Sequence, residues 1–225
     1  MQLSLANPGF ETFTKEFVNG RIRLESFASI MKCNLLGSLS VGKMTMLSNS
    51  LVGRYFNIGS FSFISRASVG NYSSVGSRVS IGPLNHPYDR PVNNEISYTD
   101  FTDFFGETFT DQQRSDYSDK YADKRAEIGS DVWIGDNSVI LSSVTVGHGC
   151  VIGAGSVVTK STEPYGVYVG NPARLLKKRF IDSDIEKLLE SNWWNLQITE
   201  FPPCKLFDSV ECFLDAITTT RKLET

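Results

Sequence analysis

The chain is poor in several kinds of residue, and each scarcity excludes a class of function. Only two of its 225 residues are histidine, His86 and His148. A metal site built from several imidazoles on neighbouring turns is therefore not expected, and no His/Asp/Glu cluster offers another. The four cysteines (Cys33, Cys150, Cys204 and Cys212) lack metal-type spacing. There is no uninterrupted apolar run of about 18 residues, so no membrane span is expected. The opening stretch MQLSLANPGFETF has no basic region followed by an apolar core. It does not read as a signal peptide, which favours the cytoplasm and reduced thiols. A net charge of −3 gives no general attraction to nucleic acid or to anionic membrane. No glycine-rich loop leads into a helix, so a nucleoside-triphosphate site is not supported. The aspartate-rich stretch 100–123 lacks calcium-loop spacing. The remaining composition, 40% hydrophobic and 21% charged, is that of an ordinary soluble globular chain.

The chain does contain a repeat of six. Hexads open at Ile128, Ile134, Ile140, Val146, Ile152, Val158 and Pro164, six of the seven with Ile or Val. Their fifth places are small or β-branched: Val132, Ser138, Val144, Cys150, Ser156 and Thr162. A helix repeats its apolar residues near 3.6 and a simple strand near 2, so a fixed period of six is neither. It is the signature of a parallel β-helix, in which each hexad supplies one short strand and one corner and three hexads close a triangular coil. The first residue points inwards, and the fifth must be small enough to share the interior. Glycine in second place suits a corner that needs backbone freedom.

A looser copy precedes this run: Leu35, Val41, Leu47, Val52, Ile58, Ile64, Val69, Val75 and Ile81, with five-residue steps at 47 to 52 and 64 to 69. The two runs together predict about five coils over residues 35–173. Residues 1–34, with Phe10, Phe13 and Phe17 at helical spacing, read as a cap or arm over one end. Between the two runs the pattern stops, over a loop at 83–125 rich in Phe, Tyr and Asp. Loops of this length are uncommon unless functional or disordered, and the aromatics argue against disorder. Beyond Arg174, residues 174–225 read as helical. Ser183 to Glu186 forms a capping box there, Ile185, Leu188, Leu189 and Trp193 share a face, and a second helix runs from Ser209 to Ile217.

The hexads, Asn85-His86-x-x-Asp89 at the head of the long loop, Val132-Trp133-Ile134-Gly135, Gly170-Asn171-Pro172-Ala173 and the late Trp193-Trp194 resemble the hexapeptide-repeat acyltransferases. The order is similar to the xenobiotic acetyltransferase branch, which acetylates chloramphenicol or streptogramins. The resemblance covers residues 35–200. It implies a mainly β fold, a left-handed parallel β-helix with a long inserted loop and C-terminal helices. It also implies a homotrimer with acetyl-CoA in the groove between two prisms. The residues after the histidine, Arg90 to Ser97, depart from the Ser-Thr-Phe-Pro-like segment of the drug-acetylating members. That favours a hydroxyl of a sugar or polysaccharide precursor over an antibiotic as the acceptor.

The chemistry narrows the candidates further. An alcohol attacking a thioester needs a base for its proton, and His has the pKa for that work at neutral pH. His86 stands where the chain leaves the prism, and it reads as the general base or as a plain His-Pro turn; the resemblance implies the base. His148, in a Gly-His-Gly corner, is at most a cofactor contact. Asn85 occupies a fifth place and supports the histidine, binds acceptor, or fills the interior. Asp89 orients the imidazole, meets acceptor, or caps a turn. Tyr98, with Glu95 and Asp100 behind it, is an acceptor candidate. Bulky Trp133 at a sixth place points outwards, as a groove wall or as an interface aromatic. The small corner residues Gly135, Ser142, Ser143, Gly153 and Ala154 suit close approach of a pantetheine arm. Thr159, Lys160, Arg174, Lys177 and Lys178 suit its phosphates or are ordinary solvated surface. The sequence therefore reads as an acetyl-CoA-dependent O-acetyltransferase. Its alternatives are N-acetylation of an amino sugar and a non-catalytic or metal-binding trimeric β-helix.

Overall fold

The computed structural model describes residues 21–86, 88–89, 91–94, 124–201 and 209–223. Its strands wind in coils of three. The first coil is β1 (Ile22–Leu24), β2 (Ser29–Met31) and β3 (Asn34–Leu35). The second is β4 (Leu39–Val41), β5 (Met46–Ser48) and β6 (Leu51–Val52). The third is β7 (Phe56–Ile58), β8 (Phe63–Ser65) and β9 (Ala67–Val69). The fourth takes β10 (Ser74–Val75) and β11 (Ser80–Ile81), then resumes after the long insertion with β12 (Ala126–Ile128). The fifth is β13 (Trp133–Ile134), β14 (Val139–Ile140) and β15 (Thr145–Val146). β16 (Val151–Ile152) and β17 (Val157–Val158) make the sixth, and β18 (Gly166–Val169) opens a seventh rung. Like strands stack in parallel into three sheets, headed by β1, β2 and β3. This is the expected left-handed parallel β-helix.

The hexad positions form the core. Every first-place residue from Leu35 to Ile81 and from Ile128 to Val158 is buried, as are the fifth-place residues from Val132 to Thr162. Each large aliphatic side chain so buried contributes roughly 1.5–3 kcal/mol, and the small fifth-place side chains let three such residues meet at one level. Register explains the two five-residue steps. Before the insertion, stacked partners lie seventeen residues apart (Ile30 on Leu47, Leu47 on Ile64); after it they lie eighteen apart (Ile134 on Ile152) until the last rung, where Val167 stacks on Val151 at sixteen. The missing residue always falls at the corner between the second and third sheets, where Lys32, Asn49 and Arg66 turn with φ of 51°, 49° and 47°.

Several expectations need correction. The solenoid starts at Ile22 rather than Leu35, because Leu24 and Ile30 stack under Val41 and Leu47. Both lie ahead of the first inward residue followed by glycine, Val41, in the part of the chain where the sequence pattern is weakest. The described residues accordingly hold six coils and the start of a seventh, not about five. Gly82 apart, the second-place glycines do not supply the corner's freedom. That falls to fourth-place residues such as Asp131, Asn137 and Ser143, at φ of 56°, 60° and 66°. The second-place glycine instead lets coils touch: a Cβ on Gly129 would sit 2.6 Å from the backbone nitrogen of His148 in the next coil.

At Arg174 the chain does not leave the sheet. β19 (Arg174–Lys178) folds back antiparallel on β18. Helix α1 (Asp182–Ser191) begins ahead of Ser183, with Ile181 at its N-cap and no side-chain cap, so the capping box at Ser183 does not form. The start is tied instead by Lys178 Nζ on Asp182 Oδ1 at 2.6 Å. α2 (Val210–Leu223) extends past the expected Ile217. The C-terminal segment lies on the outer edge between the third and first sheets. There Tyr72 Oη donates to the Leu196 carbonyl at 2.6 Å, and Arg179 bridges Asp131 Oδ2 (2.9 Å) and the Gly149 carbonyl (2.6 Å). The helical face Phe10, Phe13 and Phe17 lies outside the described residues. No helix among the described residues is long and apolar enough to cross a membrane.

Candidate active site

The long insertion leaves the prism at the corner between the second and third sheets, and both its roots are pinned. At the exit, the Gly82 amide donates to the Ile140 carbonyl at 3.0 Å. Its φ is +67°, and a Cβ there would stand 2.1 Å from the Ser65 carbonyl oxygen, so only glycine makes this departure. On return, the Ala126 amide donates to the Arg66 carbonyl (3.2 Å) and the Ser143 amide to the Arg125 carbonyl (3.0 Å). Coils three and five thus hold the insertion from below and above.

Between these roots stands His86. Its side chain is exposed, and its Nδ1 lies 2.8 Å from the Asn93 carbonyl oxygen. A carbonyl only accepts, so Nδ1 carries the proton and Nε2 is the basic nitrogen of the neutral ring. The Tyr88 amide donates to the His86 carbonyl at 2.8 Å, closing a tight turn. Asn85 is half-buried and donates through Nδ2 to Ser142 Oγ at 3.2 Å, and Ser142 Oγ donates to the Pro83 carbonyl at 2.7 Å. Asp89 is exposed in the same turn. Glu95, Tyr98 and Asp100 lie outside the described residues.

The cofactor candidates fall into four places rather than one. Ser142 and Ser143 share the His86 corner, with Thr159 and Lys160 one coil above. Ser143, Thr159 and Lys160 are exposed, whereas Ser142 is buried. Gly135, Gly153 and Ala154 line the opposite edge of the second sheet. Gly135 is itself buried against Ala154 of the coil above, and Ala154 is exposed. Trp133, 58% exposed, projects from the first sheet. Arg174, Lys177 and Lys178 are exposed on β19 at the end of the prism, with Lys178 paired to Asp182.

His148 is on another edge altogether, between the third and first sheets. Its Nδ1 accepts the Ser130 amide at 2.9 Å, and its ring stacks on Trp194 with centroids 4.2 Å apart and planes 9° from parallel. Burial pushes its pKa below the ordinary 6.5. With a folded value beneath the unfolded one, the unfolded chain takes up the proton first. The stabilisation is therefore present above about pH 6.5 and is lost as pH falls through the lowered folded value. The melting temperature is expected to drop more between pH 6.5 and 5 in the wild-type protein than in His148→Gln. Parallel melting curves against pH check this, and identical slopes would refute it.

Sequence reading missed the Asn93 and Pro83 carbonyls, which orient the imidazole and the segment before it. No signal could have found them, since every residue carries a carbonyl. Among the described residues no group of three His, Cys, Asp or Glu side chains is placed to hold a metal ion.

Comparison with known proteins bears on this arrangement. Residues 125–160 match the family model for the bacterial transferase hexapeptide (six repeats). Chloramphenicol acetyltransferase of Klebsiella aerogenes is 53% identical over 68 residues, 30% of this chain and 32% of that protein. A probable macrolide acetyltransferase of Lysinibacillus sphaericus is 50% identical over 84 residues, 37% of this chain and 44% of that protein. The matched stretch thus spans less than half the length of either relative. A solved structure of a mutant of AntD, an N-acyltransferase from Bacillus cereus in complex with dTDP and coenzyme A, superposes with a TM-score of 0.56 at 17% identity. It covers 77% of this chain and 89% of that one. At that identity the likeness is one of fold.

Proposed function

We propose that this hexapeptide-repeat β-helix protein is an acetyl-CoA-dependent O-acetyltransferase with His86 as its general base. One observation carries the reading: the imidazole is held by the Asn93 carbonyl through Nδ1, at the root of the insertion, so that Nε2 is the nitrogen able to take a proton. Nε2 removes the acceptor's hydroxyl proton as the oxygen attacks the thioester carbonyl carbon. The carbon–sulfur bond then breaks, and the imidazolium returns the proton to the departing thiolate. No acyl-enzyme is required.

Asn85, Asp89 and Tyr98 are the acceptor-side residues of this proposal. Trp133, Gly135, Ser143, Gly153, Ala154, Thr159, Lys160, Lys177 and Lys178 are its cofactor-side residues; Ser142, first a candidate beside them, is buried with its hydroxyl committed to Pro83 and Asn85 and is left out of that set. The exposed Ser143 and Ala154 flank the second sheet and leave room for an extended arm. Sites divided among two corners, a sheet face and the prism end suit a cofactor shared between two prisms, hence a homotrimer. Antibiotics enter as acceptors through the names of the relatives, and a sugar hydroxyl through the departure at 90–97.

The test is thiol release from acetyl-CoA with chloramphenicol, a macrolide, a hexose and an amino sugar, with the products weighed and mapped. Turnover that leaves acetyl on oxygen is expected for at least one of them. Transfer only to nitrogen, or none at all, overturns the proposal. Light scattering at three times the 25.0 kDa chain mass is expected, and a monomer overturns the shared site.

A further inference from the structure

The geometry points to Ser142 as the positioning residue of the base, acting through the loop root rather than on the cofactor. This rests on His86 being the base. Ser142 is buried, and its hydroxyl is committed on both sides: it donates to the Pro83 carbonyl at 2.7 Å and accepts Asn85 Nδ2 at 3.2 Å. Both partners belong to the four residues 83–86 that end in the imidazole. The serine itself belongs to the coil above, 56 residues from His86 along the chain.

Ser142 thus ties a side chain of the solenoid to two of the residues 83–86 at once. Gly82 is anchored by its own amide and His86 by Asn93, which lies on the insertion itself. The Asn93 contact orients the ring relative to the insertion, and the Ser142 contacts fix the insertion relative to the prism. Together with the backbone bonds at the two roots, these contacts set the base against a cofactor lying on the prism. Misplacement of a catalytic group by about 1 Å costs on the order of a hundredfold in rate, and loss of a buried hydroxyl leaves the Pro83 carbonyl and Asn85 amide unsatisfied.

Ser142→Ala is therefore expected to lower kcat about 10- to 100-fold while KM for acetyl-CoA stays within about twofold. Asn85→Ala, which removes one end of the same clamp without touching the buried serine, lowers kcat as well, and the double variant falls no further than the worse single one. Ser62→Ala is the control. That serine is also buried and donates to a carbonyl, of Gly76 at 3.1 Å, but on another corner; it lowers the melting temperature and leaves kcat unchanged. A purely structural Ser142 behaves like Ser62, and that result overturns the inference. A cofactor-contacting Ser142 raises KM for acetyl-CoA at constant kcat, which overturns it equally.

A readout without turnover separates this inference from the proposed activity. With only two histidines, the imidazole NMR signals are assigned by His148→Gln, and Ser142→Ala is expected to shift or broaden the His86 signal alone. If no acceptor turns over but that signal moves, the clamp stands and the acetyltransferase reading falls. If the signal is unchanged, the clamp falls.

Discussion

Replacing His86 by alanine is expected to reduce kcat about 10²- to 10⁴-fold, the range removed with a general base, and to leave KM for acetyl-CoA nearly unchanged. This corresponds to about 3–5 kcal/mol of transition-state stabilisation. The loss falls on kcat because the proton moves only as the acceptor oxygen attacks, so the interaction is made in the transition state and not in the ground-state complex. The structure supplies the reason for the choice of residue. Of the two histidines, His86 has its Nδ1 proton committed to a backbone carbonyl and its ring exposed. His148 has its Nδ1 lone pair committed to the Ser130 amide and its ring stacked on Trp194. The same assay on His148→Gln is expected to return wild-type kcat. Steady-state kinetics on the two variants decide it, and full turnover by His86→Ala would end the mechanism proposed above.

The second large effect concerns stability. Gly129→Ala is expected to cost about 3 kcal/mol, the upper end of the range for forcing atoms into a packed core, and to lower the melting temperature by about 6–12 °C. The added Cβ would lie 2.6, 2.8 and 2.9 Å from the nitrogen and Cα of His148 and the carbonyl carbon of Gly147. All three are backbone atoms of the next coil, so no side chain can swing aside, and relief requires two hydrogen-bonded rungs to separate. Gly155→Ala is the informative comparison. Gly155 has φ of +71°, but its Cβ would meet nothing within 4 Å. Only the left-handed backbone penalty of about 1–2 kcal/mol applies there. Thermal or denaturant unfolding of both variants tests the ordering. Equal losses would mean that backbone conformation, not coil contact, governs the second-place glycine.

The correction at Gly129 shows how far a repeat can be read. The glycine's recurrence was plain from the sequence, but its cause was not, because crowding and conformational freedom select the same residue. The capping-box motif at Ser183 failed for a related reason. The local pattern was present, yet the helix starts ahead of it at Asp182, whose carboxylate is paired with Lys178 of β19. The first coil went unread because Leu24 and Ile30 stand ahead of the first inward residue followed by glycine, Val41, and their place shows only in the stacking on Val41 and Leu47.

The solenoid itself was determined by the sequence alone. Each hexad meets chiefly its neighbours one coil above and below, so the inward Ile or Val and the small fifth residue settle their own coil with little reference to the rest of the molecule. His86 as a candidate was likewise legible, since one of only two histidines stands where the repeat breaks. Tertiary structure alone decided what meets it. Stacking register brings Ser142 over the root of the insertion, and the Asn93 carbonyl reaches the imidazole through a turn of the insertion. A backbone carbonyl has no side-chain signature, and a contact across coils depends on the count of residues per turn. That count changes from seventeen to eighteen at the insertion that carries the candidate base.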